Sequence, residues 1–331
     1  MGFWYTTPEG IKEKFEECNE FDNLKDALLY DGIIFEYQFG GVTSVFLEHG
    51  VDALNDLFGG YEIETNAQKG GDHILEEVLK IVENFVKKNQ NDQIMGVCIS
   101  TAGVVDTKNG SIYHASDLIP NYIGINFKKA IKEKFDLSCQ VENDVNCAGY
   151  AEYKSGASKD SLVCLTLTIG TGIGGCGIID GKIIHGANGS AFEVGYINIR
   201  NDKFENLGSA KTLVEKVAKE KNEDISSWNG KKVFENAKKG DEICIKAIDE
   251  MCDVLGLGIA NLSYMLNPDT VVLGGGIMAQ EEYLKKRIEE KISLYLEKRF
   301  FDNMTLKFAK HQNQAGILGA YYNFRDLEEE K

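Results

Sequence analysis

The sequence predicts an α/β protein built as two lobes, and three observations carry that prediction. Short apolar runs with strand character alternate with amphipathic helical patterns along the 331-residue chain. In both halves the strands come first and are then mixed with helices. Glycine is abundant, at 35 residues, and gathers in clusters at Gly40-Gly41, Gly59-Gly60, Gly170 to Gly177 and Gly274 to Gly276. Clustered glycine marks backbone that must pass close to something. Apolar residues at 43% and charged residues at 27% are the balance of a globular chain with a real core.

Taken in order, residues 8–30 carry apolar positions at helical spacing among charges and predict a helix. DGIIFEYQF, TSVFLEH and YEIET predict three short strands separated by Gly-Gly turns. HILEEVLKIVENFVKK, residues 73–88, is an amphipathic helix with apolar residues at i, i+3, i+4 and i+7. IMGVCIS is a buried strand, INFKKAIKEKF a helix and SCQVEN a further strand. A strand, a glycine turn, a strand, the turn at Asp180-Gly181 and another strand follow. Helices are predicted near 209–220, 231–237 and 241–266. After them come the strand TVVLGGGI, the helix EEYLKKRIEEKISLYLEK, the strand MTLKFAK and a closing helix from QAGILG onward.

A formal charge of −16 argues against nucleic acid and anionic membrane surfaces as partners, because both need clustered Lys and Arg. A nucleotide substrate stays open, since backbone N–H groups can hold an anion locally. The eight cysteines are scattered singly, as small core residues in a reducing compartment would be. No run reaches membrane-span length and the start shows no signal-peptide pattern, so a cytoplasmic location is expected.

Gly170, Gly172 and Gly175 spell G-x-G-x-x-G after a strand-like run. A dinucleotide turn requires a helix to open next, so that its N-terminus faces the pyrophosphate. Here CGIID leads into another strand, which removes that reading. A plain hairpin needs one or two glycines, whereas this stretch has them at 170, 172, 174, 175 and 177, interleaved with Thr168 and Thr171. An anion cradle accounts for the pattern better. Upstream, Glu142-Asn143-Asp144 ends a buried strand, which suits a general base beside an orienting amide, although Asn and Asp also end strands as turn residues. Downstream, Glu193 lies in a loop of small residues, where a carboxylate could accept two sugar hydroxyls or simply be solvated.

Together ENDVN, LTIGTGIGGCGIIDGKIIHGANGSAFEVGY and LNPDTVVLGGGIM resemble the ROK family of sugar kinases and sugar-responsive repressors, over roughly residues 61 to 325. The resemblance implies an actin-like, hexokinase-type (ribonuclease H-like) fold with a cleft between its lobes. It implies ATP- and Mg2+-dependent phosphorylation of a hexose or N-acetylhexosamine at the 6-hydroxyl, by a homodimer. Asp144 matches the family's catalytic base. Asn143, Gly103, Ser116, Glu193, Tyr196 and Glu205 match or neighbour its sugar-binding positions. Gly170, Thr171, Gly172 and Gly174 would hold the phosphates, and Gly275 and Gly276 would lie along the adenosine. N-acetylmannosamine is the favoured sugar. The expected small lobe takes residues 1–120 and 314–331, with 1–30 as an extra helical segment, and the large lobe takes 121–313.

Three departures from the family pattern matter. The added helical segment at 8–30 is short and acidic, lacks the basic residues that meet DNA and is expected to serve packing or oligomer formation. The Cys-rich zinc run that follows E-x-G-H is absent and Tyr196 replaces the ligand His, so no zinc and no other protein-bound metal is expected. The D-I-G-G-T phosphate motif has as its counterpart Gln38-Phe39-Gly40-Gly41-Val42-Thr43, with Gly40, Gly41 and Thr43 as the phosphate contacts. Gln cannot supply the charge of Asp. That leaves two readings open: a kinase, or a catalytically weak sugar-binding or regulatory protein with the kinase fold.

Overall fold

The computed structural model describes residues 33–36, 63–88 and 94–329, and the chain divides into two compact units. The predicted helix at 8–30, the strand TSVFLEH and the Gly40-Gly41-Thr43 motif lie outside the described residues. Of YEIET, the described part from residue 63 carries no regular secondary structure.

The first unit takes the described residues up to Lys154, then His185–Ser190 and Asn313 onward. Its strands are β1 (Ile33–Glu36), β2 (Gly96–Thr101), β3 (Val104–Asp106), β4 (Ser111–His114) and β5 (Ser138–Asn143). β1, β2 and β5 form a parallel sheet with β2 central, while β3 and β4 pair as an antiparallel hairpin. All six residues of β2 are buried, as a parallel strand covered on both faces requires.

Helix α1 (Gly71–Lys88) buries Ile74, Val78, Ile81, Val82 and Phe85, the stripe its sequence spacing predicts. Helix α2 (Phe127–Phe135) is capped by Asn126, whose side chain accepts from Lys129 N at 2.8 Å. Helix α3 (Asp144–Ser155) follows β5 with no linking residue. The closing helix, Ala315–Glu329, crosses α3 at Gly319, where a Cβ would sit 1.8 Å from Cys147 O. Only glycine allows that approach.

The division between units falls after Lys154, later than the boundary expected near residue 120. β5 pairs residue for residue with β2, from Gly96 opposite Ser138 to Thr101 opposite Asn143, so the chain through α3 belongs to the first sheet.

The second unit takes Ser155–Ile184 and Ala191–Gln312. Its strands are β6 (Val163–Ile169), β7 (Ile173–Ile179), β8 (Lys182–Ile183), β9 (Asn198–Ile199), β10 (Asp202–Lys203), β11 (Thr270–Gly274) and β12 (Thr305–Phe308). Five of them form one sheet in the order β12-β11-β6-β7-β8, parallel from β12 to β6 and antiparallel beyond. Its helices include α4 (Phe204–Gly208), α5 (Ala210–Lys221), α6 (Gly230–Lys238), α7 (Glu242–Leu266) and α8 (Glu281–Tyr295). α7 spans 25 residues and contributes Ile248, Met251, Leu255 and Ile259 to the core. No helix among the described residues is long and apolar enough to cross a membrane.

Candidate active site

The site residues expected from sequence fall into a group in each unit. In the first unit, β2 and β5 end side by side, and the loops leaving parallel strands at their C-terminal ends are where ligands bind in such sheets. Asn143 is the last residue of β5 and Asp144 the first of α3. Asn143 serves as a hub. Its Nδ2 donates to Gly103 O at 2.9 Å and to Asp144 Oδ1 at 3.1 Å, while its Oδ1 accepts from Val145 N at 2.9 Å and Asn146 N at 3.1 Å. Asp144 Oδ1 also accepts from Val145 N at 2.9 Å. A half-buried carboxylate at a helix N-terminus, bonded to N–H donors, is held in one orientation.

Gly103 follows β2 with φ +94°, and a Cβ there would lie 2.7 Å from His114 O and 3.4 Å from Ala115 Cβ. The end of β4 therefore runs against Gly103, and exposed Ser116 emerges two residues after the strand's last residue, His114. Glu142, only 2% exposed, accepts from Asn143 N at 2.8 Å and Asn146 Nδ2 at 2.9 Å through Oε1, and meets His185 Nε2 at 2.7 Å through Oε2. That hydrogen bond raises the His185 pKa above its usual value, against the opposing effect of burial. Neither Glu142 nor His185 stood out as a site residue in the sequence; the signal was there in ENDVN and IIHG, but their proximity is tertiary.

In the second unit, Gly170–Gly172 is the turn of the β6–β7 hairpin, with Ile169 opposite Ile173 and Gly174 opposite Thr168. No helix opens, as the sequence predicts, and Thr171 stands exposed at the tip. The glycines serve different ends. Gly170 N donates to Gly172 O at 3.0 Å, so that N–H is spent inside the turn and is not a bare anion donor. Gly170 O accepts from Ala210 N at 2.9 Å, which brings the N-terminus of α5 to the turn. Gly175 and Gly177 make room for the next loop: a Cβ at Gly175 would meet Phe192 O at 2.9 Å, and one at Gly177 would meet the Phe192 ring at 2.3 Å. Open space remains beside Gly170 and Gly276, with no atom within 4 Å of a Cβ at either position. Gly275, at φ +104°, lies against β6, where a Cβ would sit 2.2 Å from Ile169 O. The turn after β11 and the hairpin turn are thus neighbours.

Phe192 adopts φ +63°, and Glu193 then leads a short 3-10 turn over Val194–Tyr196. Glu205 comes to the same place from α4. Its Oε2 lies 2.6 Å from a Cβ at Gly172 and 3.0 Å from one at Gly195. Burial, then the negative charges of Glu205 and Glu193, raises the pKa of the Tyr196 phenol, and Lys203 Nζ stands 4.6 Å from the Tyr196 ring. Two devices place Glu205. Phe204 is fully buried against α7, close enough that a Cβ at Gly258 would lie 2.3 Å from its ring. The β9–β10 turn is tied down by Arg200, which pairs with Asp253; Asp253 also accepts from the Tyr295 hydroxyl at 2.9 Å. Among the described residues, no group of three or more His, Cys, Asp or Glu is arranged to hold a metal.

Two groups of residues therefore come together: Gly103, Asn143, Asp144 and the approach to Ser116 in one unit, and Gly170–Gly174, Gly275, Glu193, Tyr196 and Glu205 in the other. The N-terminus of α5 beside Gly170 was missed, although Ser209 three residues before Thr212 is an N-cap pattern visible in sequence.

A sequence profile of the ROK family matches residues 57–326. An uncharacterised protein of Clostridium perfringens is 45% identical over 263 residues, covering 80% of this chain and 88% of its own. A glucokinase of Halalkalibacterium halodurans is 28% identical over 293 residues, covering 81% of this chain and 88% of its own. The solved structure of a Listeria monocytogenes protein, provisionally described as an N-acetylmannosamine kinase, superposes with a TM-score of 0.71 at 28% identity. It covers 83% of this chain and 91% of that one. With the profile spanning most of the sequence and these relatives matched over nearly their whole length, the chain belongs to the ROK family, which includes sugar kinases, and has that family's hexokinase-type α/β fold.

Proposed function

We propose that this protein is an ATP-dependent sugar kinase that phosphorylates a hexose or N-acetylhexosamine at its 6-hydroxyl, with N-acetylmannosamine the first candidate. The observation that carries the reading is the β5–α3 junction, where Asp144 is held by Val145 N and the Asn143 amide. A sugar hydroxyl is a poor nucleophile. A fixed carboxylate can accept its proton as transfer proceeds, and the remaining work is positioning and charge stabilisation. Asp144 is the general base in this reading. Asn143, Gly103, Ser116, Glu193, Tyr196 and Glu205 are assigned to the sugar.

The open space beside Gly170 and Gly276 supports assigning ATP to Gly170, Thr171, Gly172, Gly174, Gly275 and Gly276, with Gly40, Gly41 and Thr43 as further phosphate contacts. The N-terminus of α5 adds favourable potential there. Phosphate oxygens are the hard donors magnesium prefers, so the ion is assigned to the phosphates of ATP. Bound with ATP, the ion would neutralise charge on the phosphate oxygens. Zinc has no part in this reading.

A second reading, a sugar sensor with little turnover, is favoured by Gln38 at the position of the family's motif Asp. A coupled ADP-release assay over N-acetylmannosamine, glucose, N-acetylglucosamine and a β-glucoside separates the two. Turnover with one of them supports the kinase. Calorimetric sugar binding without turnover supports the sensor.

A further inference from the structure

The segment His185–Ser190 groups with the first unit, although the residues on either side of it, Ile184 and Ala191, group with the second. Two contacts hold it there. His185 Nε2 lies 2.7 Å from Glu142 Oε2. Gly189, at φ +84°, approaches β3 so closely that a Cβ would sit 2.6 Å from Val105 O.

Glu142 is 2% exposed, and a carboxylate that deep needs partners on both oxygens together with a counter-charge. Its Oε1 is taken by Asn143 N at 2.8 Å and Asn146 Nδ2 at 2.9 Å, the residues that bracket Asp144 in sequence. Its Oε2 is paired with His185 Nε2, 2.7 Å away. The chain thus makes a relay: segment 185–190 to Glu142, Glu142 to the backbone and side chains around Asp144.

We infer that Glu142 and His185 form a positioning pair for the β5–α3 junction: His185 holds the Glu142 carboxylate in its seat, and Glu142 sets the Asn143–Asn146 turn that aims Asp144. The inference rests on the reading of Asp144 as the base. Neither residue touches the reacting atoms in it.

The experiment compares wild type with H185A, H185Q, E142Q and the double variant E142Q/H185A, on the full-length chain. In H185A, kcat at saturating sugar and ATP falls about tenfold to a hundredfold, the scale of a small misplacement of a reacting group. The KM for ATP stays unchanged. H185Q, which retains a donor, recovers part of the loss. E142Q/H185A is no worse than E142Q alone, because the two residues act as one unit. Losses that multiply in the double variant overturn the inference, and so does a lowered melting temperature with unchanged kcat.

Absence of turnover in wild type, over the full sugar panel, counts against the kinase reading and not against the pair. Hydrogen exchange then reads the pair directly, in peptides covering 142–150 and 183–191. Exchange in both peptides speeds up together in H185A if the pair ties them, and unchanged exchange in either peptide overturns it. Should H185A fail to fold, H185Q carries the same comparison.

Discussion

Asp144 is aimed by its neighbours in sequence, since Asn143 and Val145 supply its contacts. Asp144→Asn keeps the shape and the bond from Val145 N but removes the basic oxygen. Turnover should fall about 10²- to 10⁴-fold, the range typical of a lost general base, with the melting temperature within a degree or two. Near-normal activity in a steady-state assay would refute the base assignment. Gly275 makes the opposite kind of demand, on backbone alone. At φ +104°, with Ile169 O 2.2 Å from a Cβ position, Gly275→Ala is strained twice over. It should cost about 1–3 kcal/mol of stability in urea unfolding and raise the KM for ATP well beyond that for sugar.

At the scale of elements, the useful geometry comes from junctions without slack. β5 passes into α3 with no loop, so the end of the sheet dictates where the helix dipole points. On the other unit, Phe204 seated against Gly258 sets α4, and α4 carries Glu205 to Gly172 and Gly195. Gly258→Val should push Phe204 out, at about 1–3 kcal/mol for overpacking. The sugar KM should rise with little change in the ATP KM; equal effects on both would mean that α4 does not serve the sugar. The Glu142–His185 tie adds a pH dependence to the first unit. Because His185 titrates above its ordinary value when folded, the stability it contributes is complete below the unfolded value. It is lost as pH rises through the folded one. Thermal scans should therefore show a fall from neutral toward mildly alkaline pH that is absent in H185Q.

Over the whole molecule, burial governs the thiols. All seven cysteines among the described residues are buried, and burial pushes Cys139 up to about 12 and Cys252 likewise to about 12. Titration with a thiol reagent should therefore label at most Cys18 rapidly in the native protein and all eight cysteines after denaturation. Rapid labelling of two or more native thiols would contradict the packing. The formal charge of −16 acts on the same scale. Self-repulsion opposes the compact state and is screened by salt, so the melting temperature should rise modestly between low and physiological ionic strength.

Most elements were legible in the sequence because their signals are local. α1 shows its stripe, Asn126 and Ser209 cap α2 and α5, and the hairpin at Gly170 was separated from a dinucleotide turn by the strand that follows it. The family motifs likewise named Asn143, Asp144, Glu193 and Glu205 as residues. What sequence could not decide is which atoms meet. Gly175 and Gly177 read as parts of an anion cradle, yet the structure uses them to seat Phe192. The Gly170 N–H read as a free donor, yet it closes its own turn. The unit boundary moved to Lys154 because β5 pairs with β2, a register set by strands some forty residues apart. His185 reaches Glu142 across a similar gap. Propensity, capping and periodicity act over a few residues and are written in the chain. Close packing and the partnering of buried polar groups join residues far apart in sequence, and only the folded structure determines them.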